Sequence, residues 1–305
     1  IEKLSLKKRT NGKMSDNVLF FSDFNDLFES ISPDIVFVST PNYLAPEITI
    51  ISLNKGCHVF CEKPPGRTVE DIENVIVAEN NNPKLKLKYG FNHRYHGSVI
   101  EAKNIIDSKN FGKIINIRGV YGKSSIVPVK NEWRSLKKYS GGGILLDQGI
   151  HMLDLFRFFC GDFSEIKSFI SNDYWKHDIE DNAYAIMRSE DGIVAMIHST
   201  ATQWQHRFRL EITFDKGYIE LSGILSGSKS YGQERLIIIN KIPKSNVGSL
   251  SKKEINYLND DSWKNEIDDF VECVSKDKKV LTGSSKDALS VMNLVYKIYN
   301  SDKQL

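Results

Sequence analysis

Asp147, His151 and Asp154 recur at intervals of four and three within GGGILLDQGIHMLDLFRFFCG, residues 141–161. On a helix that spacing puts two carboxylates and an imidazole on one stripe, while Ile150, Leu153, Leu155, Phe156 and Phe159 occupy the other faces. Unpaired charge on a buried helix costs several kcal/mol, so the stripe either pairs internally or lines a cleft. In the first case Asp154 pairs with Arg157 and His151 is a satisfied core histidine. In the second, which we adopt, the stripe is a place where protons are exchanged with a ligand.

The elements that must face this stripe can be traced along the chain. NVLFFSD at 17–23 reads as a short strand, with Asp23 capping a helix that turns Leu27 and Phe28 inward. DIVFVSTPN at 34–42 is an apolar, β-branched run suited to a parallel strand buried on both faces. A helix through Ile48 and Leu53 to Gly56, a strand in CHVFCEKPPG at 57–66, a helix over 68–79 and a strand in KLKLKYGF at 84–91 continue the alternation. Such a pattern predicts a doubly wound α/β sheet, in which ligands bind beyond the carboxyl ends of the strands. Thr40, Pro41, Asn42, Glu62, Lys63, Pro64 and Asn92 are therefore expected along one edge.

The rhythm changes after Phe91, which divides the chain into domains 1–91 and 92–305. A helix over 98–109 and a strand over 113–122 lead into a long loop through Trp133 and Arg134 to the three glycines. From 163 onward hairpins dominate, turning over 190–192 and 215–217, and they predict an open, mainly antiparallel sheet in an α+β domain. Tyr184, Trp204, Phe208, Phe214 and Tyr218 interleave along these strands, which favours a subunit contact through that sheet. Helices over 263–274 and 284–299 follow.

Composition excludes several classes of function. With 305 residues, 40% hydrophobic and 26% charged, the chain has the make-up of a globular protein large enough for two domains. A net charge of +2 supplies no field for nucleic acid or an anionic membrane, and no apolar run approaches the roughly 20 residues of a membrane span. Cys57, Cys61, Cys160 and Cys273 lack metal or disulfide spacing and read as reduced structural thiols in a cytoplasmic protein. His93 with His96, and His198 with His206, have no matching Cys or carboxylate cluster; no metal site is expected, and they read as ordinary surface or core histidines.

STPN at 39–42, CEKP at 61–64, GFNHRY at 90–95, EWR at 132–134 and GGGILLDQGIHMLDL at 141–155 resemble, in order and spacing, motifs of the Gfo/Idh/MocA oxidoreductases. The resemblance implies a Rossmann-type domain that binds NAD or NADP, and a second domain whose sheet joins a homo-dimer or homo-tetramer. It implies hydride transfer between the nicotinamide and a secondary alcohol of a sugar, sugar nucleotide or cyclic polyol. Lys63, Asp147 and His151 correspond to catalytic groups, and Thr40, Pro41, Asn42, Glu62, Lys63 and Asn92 to cofactor contacts. Arg94, Trp133 and Arg134, with Asp147 and His151, fall near the substrate. On this reading His151, held by Asp147 one turn earlier, takes the hydroxyl proton and Lys63 stabilises the alkoxide. The start of a helix disfavours imidazolium and keeps His151 ready to accept. Where many relatives carry a histidine this chain has Ala45, so that contact is missing.

The resemblance also implies a leading strand, a G-x-G-x-x-G turn, a helix and a second strand. The chain begins at Ile1, and Gly12 is the only glycine before Gly56. About 30 to 40 residues, one strand-helix-strand unit, are therefore expected to be absent, and with them the helix N-terminus that holds the pyrophosphate. Impaired cofactor binding and activity are expected of these 305 residues. Two alternatives stand beside the dehydrogenase: an NAD-assisted glycoside hydrolase or eliminase of the same fold, and a non-catalytic truncated paralogue.

Overall fold

A computed structural model describes residues 18–125, 132–226, 230–241 and 250–302. The segment 1–13, expected as the tail of a surface helix, lies outside the described residues. Asp23 accepts from the Asn25 N–H at 2.7 Å and starts helix α1 (Phe24–Ser30), as its residue type predicts. The strand expected over 17–23 does not form: residues 18–22 are irregular and pair with no strand among the described residues.

Strand β1 (Ile35–Val38), helix α2 (Ala45–Asn54), strand β2 (His58–Glu62), helix α3 (Val69–Asn81) and strand β3 (Leu87–Gly90) then alternate as expected. The three strands are parallel, in the order β1-β2-β3. β1 is not buried on both faces. Val38 is enclosed, but Phe37 is 52% exposed, partly covered by the rings of Phe60 and Phe270. Thr68 and Asp71 form a reciprocal cap at the start of α3, and Asp71 also accepts from the Arg67 N–H at 2.7 Å, which ties down the loop leaving β2. In that loop the Lys63–Pro64 peptide is cis.

A 3-10 turn (Asn92–Tyr95) and helix α4 (Gly97–Ser108) lead into strand β4 (Ile114–Ser124). A short helix α5 (Lys137–Ser140) precedes the glycines, and helix α6 (Ile150–Cys160) follows them. Strands β5 (Phe163–Ser171), β6 (Asn182–Ser189), β7 (Val194–Gln203), β8 (Arg207–Phe214) and β9 (Gly217–Ser222) come next. Strands β10 (Glu234–Lys241) and β11 (Leu250–Tyr257), not anticipated from sequence, extend the sheet. Its order is β11-β10-β9-β8-β4-β7-β6-β5, antiparallel except where β4 runs parallel to β7.

The two-residue side-chain repeat decides which aromatics face out. Phe208 and Phe214 turn into the core, contrary to their expected place at a subunit contact, whereas Tyr184 and Trp204 are exposed together with Phe169, Ile186 and Met196.

Helices α7 (Ser262–Ser275) and α8 (Ser285–Ser301) return to the first sheet. The Phe270 ring lies 5.7 Å from that of Phe60, and the Tyr89 N–H donates to the Gly283 carbonyl at 2.7 Å. Lys88 is fully buried under this layer, where its ammonium donates to Asp269 at 2.6 Å and to the Thr282 carbonyl at 2.7 Å. The parallel sheet ends at Gly90, next to the division expected at 91/92, and helix α8 packs against β3 as well as β5.

Candidate active site

The three glycines bring the chain close to the strip between β5 and β6. Glu180 caps the turn that these glycines open: its carboxylate accepts from the N–H groups of Gly143 at 2.7 Å and Leu145 at 2.9 Å, and from the Tyr299 hydroxyl at 2.8 Å. A β-carbon at Gly143 would collide with the Glu180 carbonyl, so only glycine allows this approach. Residues Leu145–Gly149 then form a π-turn before α6 begins, and the Ser199 hydroxyl donates to the Ile144 carbonyl at 3.0 Å.

The wider turn breaks the stripe expected from a regular 3.6-residue period. Asp147 turns outward, its side chain 43% exposed. His151 is 5% exposed, and its Nδ1 has no hydrogen-bond partner among the described residues, so Asp147 does not hold it as expected. The His151 ring stacks on His93 instead, with centroids 3.8 Å apart and planes inclined at 13°. Burial pushes the His151 imidazole well below its ordinary range, with His93, Lys63 and His96 acting in the same direction. The neutral ring expected from its place at a helix start is thus produced chiefly by desolvation.

Asp154 does not line the cleft and does not pair with Arg157. It is completely buried, and Arg94 grips it through Nε at 2.8 Å and Nη2 at 2.6 Å. Arg94 also reaches Asp287 at 3.2 Å, so its guanidinium, expected near substrate, is committed to two carboxylates inside the protein. Arg157 pairs with Asp162. The adopted cleft position and the alternative partner Arg157 both fail for Asp154, whose partner lies 60 residues upstream.

Lys63 crosses from the parallel sheet to the π-turn. Its ammonium donates to the Asp147 carbonyl at 2.5 Å and stands 3.8 Å from the Asp147 carboxylate. Asn42, Trp133, Arg134 and Asp147 meet in an open cleft, joined there by Lys123 and Trp175. Asn42 donates to the Ser140 carbonyl at 2.7 Å, clamping the strand edge to the approach of the glycines. Asn92, expected at the cofactor, is instead buried and occupied with Ser262 and His93.

Thr40, exposed just beyond β1, and Pro41, whose carbonyl accepts the first N–H groups before α2, remain at the strand edge with Glu62. Burial raises the Glu62 carboxyl, with Lys63 opposing. A β-carbon at Gly90 would press to 3.0 Å from that carboxylate, so glycine keeps this edge open. An edge offering a hydroxyl, a carboxylate and an ammonium fits the hydroxyl-rich ribose beside a nicotinamide.

Residues 6–91 match the family model described as "Oxidoreductase family, NAD-binding Rossmann fold", and residues 99–220 the one described as "GFO/IDH/MocA C-terminal domain". The chain belongs to the Gfo/Idh/MocA oxidoreductase family. It is 25% identical to inositol 2-dehydrogenase of Salmonella typhimurium over 211 residues, 68% of this chain and 60% of that protein. It is 31% identical to D-glucoside 3-dehydrogenase of Escherichia coli over 160 residues, 52% of this chain and 45% of that one. The chain spans about three-fifths of the length of the inositol 2-dehydrogenases it matches. The solved structure of levoglucosan dehydrogenase with NADH and levoglucosan has the same fold, with a TM-score of 0.84 over 98% of this chain and 85% of that one at 20% identity.

For this Gfo/Idh/MocA member, sequence reasoning missed the contact of His93 with His151 and the capping role of Glu180. Glu180 lies between two strands with no local signal of its target. His93 stands three residues past the carboxyl end of β3, and that position was the available clue.

Proposed function

We propose that this chain belongs to an NAD-dependent oxidoreductase that moves a hydride between the nicotinamide and a secondary alcohol of a sugar or cyclic polyol. The observation that carries the reading is the meeting of Lys63 from the parallel sheet with Asp147, which lines a polar and aromatic cleft, one turn before His151. NAD, when bound, supplies the ring that accepts or donates the hydride. Thr40, Glu62 and Lys63 would hold its ribose end.

His151 is buried and neutral, so it can take the hydroxyl proton without first losing one. Lys63 stands where a fixed cation can stabilise the oxygen as that proton leaves. Trp133 and Trp175 offer ring faces to the apolar side of a sugar, and Arg134 and Lys123 offer donors to its hydroxyls. The exposed face carrying Phe169, Tyr184, Ile186 and Met196 is where a second copy would dock; light scattering on the purified protein tests that arrangement.

The test is NADH formation from added NAD with a panel of inositols, anhydrosugars and glucosides, together with a calorimetric titration of NADH. Turnover of free NAD supports the dehydrogenase. Sugar cleavage without net NAD consumption would move the reading to an eliminase or hydrolase. No NADH binding and no turnover would leave a non-catalytic paralogue.

A further inference from the structure

The His93–His151 stack belongs to a hydrogen-bonded chain whose direction is fixed from one end. The Ser262 hydroxyl donates to the Asp260 carboxylate at 2.6 Å and therefore accepts from the Asn92 amide nitrogen at 3.3 Å. That leaves the Asn92 oxygen facing His93 Nδ1 at 3.1 Å, so Nδ1 carries the hydrogen. Nε2 of His93 is then the acceptor, and the Tyr121 hydroxyl lies 3.2 Å from it. Burial pushes the Tyr121 phenol well up, with Tyr231 and Asp147 adding to it, so Tyr121 stays a donor. Both nitrogens of His93 are satisfied by the neutral ring in a single tautomer, whereas Nδ1 of its stacked neighbour has no partner among the described residues.

We propose that His93 is a positioning residue for His151: a neutral imidazole of fixed tautomer that sets the plane of the His151 ring and leaves His151 as the member of the pair that takes up a proton. A proton on His93 Nε2 would require Tyr121 to reverse its hydrogen bond; a proton on His151 displaces nothing. Two protons in rings 3.8 Å apart would repel at short range in a buried site. The groups facing the pair act together. Lys63 acts on both rings from the loop after β2 and Tyr121 from β4, while His96, 5.6 Å from His93 between ring centroids, is bonded through Nδ1 to the buried Glu234 at 2.8 Å. Positive charge on this side lowers both rings, and a proton on His93 would itself oppose one on His151, so the stack holds one proton at a time.

The assignment rests on reading His151 as the proton acceptor, but its test needs no turnover. Ring nitrogens of the ¹⁵N-histidine-labelled protein, assigned with His93→Gln and His151→Gln, report tautomer and protonation directly. In the unmodified protein His93 is expected to show the Nδ1–H tautomer and to stay neutral while His151 titrates first. In Tyr121→Phe, with the donor to Nε2 removed, the His93 midpoint is expected to rise by roughly one pH unit and the two rings to compete for the proton. His93 titrating before His151, or showing the Nε2–H tautomer in the unmodified protein, would overturn the proposal. So would a His93 midpoint unmoved by Tyr121→Phe. The measurement on the unmodified protein decides the matter even where a variant does not fold. A chain that shows the expected order of protonation but converts no sugar overturns the proposed function alone.

Discussion

The ammonium of Lys63 lies 2.5 Å from the backbone carbonyl of Asp147 and 3.8 Å from its carboxylate, across 84 residues of sequence. One cation thereby joins the carboxyl edge of a parallel sheet to a π-turn laid on the second sheet. The turn matters because its width sends Asp147 toward Lys63 and the cleft, while His151 remains inside against His93.

Replacing Lys63 with Met shortens the side chain by one atom and removes the charge. If the cation stabilises a developing alkoxide, turnover falls by about 10²-fold or more, the scale of losing one preorganised electrostatic contact, while NADH affinity, which rests on Thr40 and Glu62 as well, falls far less. Steady-state rates and a calorimetric titration on the same preparation check it. A rate within a few-fold of the unmodified protein would remove Lys63 from the chemistry.

Asp154→Ala is expected to act on stability. It leaves Arg94 buried with only Asp287 at 3.2 Å, and breaking such a pair from one side costs about 3–5 kcal/mol. Urea unfolding measures this, and Arg157→Ala, which loses the contact with the exposed Asp162 and a long hydrogen bond of 3.5 Å to the Asp287 carbonyl, should cost less, about 1 kcal/mol. Comparable losses in the two variants would show that the Arg94 pair is not the special one.

The contrast between Asp154 and Lys63 shows what the sequence made legible. The alternation over 34–91 and the polar residues ending each strand were readable because a parallel sheet writes its pattern locally, in apolar runs closed by turn residues. The edge placement of Thr40, Pro41, Glu62 and Lys63 is a consequence of that pattern. The stripe on the glycine-led helix was misread because a 3.6-residue period was assumed through a turn that is wider. The residues accompanying that widening, Glu180 and Ser199, come from strands far along the chain or from the segment between them. Asp154 was placed in the cleft with Arg157 as the alternative partner because only neighbours in sequence were in view, whereas its partner Arg94 is near only in space. β10 and β11 were missed because an outer pair exposing Lys252, Lys253 and Glu254 shows little of the alternation that marks a half-buried strand.

Glu180→Gln tests the cap. The amide can accept only through its oxygen, so one of the N–H groups of Gly143 and Leu145 loses its charged acceptor. A charge-assisted hydrogen bond is worth about 1.5–3 kcal/mol, and a loss of that order in unfolding free energy is expected. The cleft is lined by the same glycine turn, so sugar KM should rise more than NADH affinity changes. Unchanged stability and KM would mean that the turn is held by the glycines and Ser199 alone.

The buried histidines predict how stability depends on pH. Burial lowers His151 and His93 well below the ordinary imidazole value, with neighbouring His and Lys residues adding to it. In the unfolded chain both rings titrate near pH 6.5. As pH falls through that value the unfolded state binds protons that the folded state refuses, and stability is lost; above it, the contribution is fully present. Each ring contributes a slope of about 1.4 kcal/mol per pH unit below pH 6.5 until its folded-state value is reached. Unfolding free energy from urea titrations should therefore hold steady between pH 8 and 7 and drop by about 2–3 kcal/mol between pH 6.5 and 5.5. His93→Phe keeps an aromatic ring in the stack but cannot titrate, so its slope over the same window should be smaller by one proton's worth. An unchanged slope in that variant would mean that His93 takes up its proton equally in both states, and that its burial does not keep it neutral.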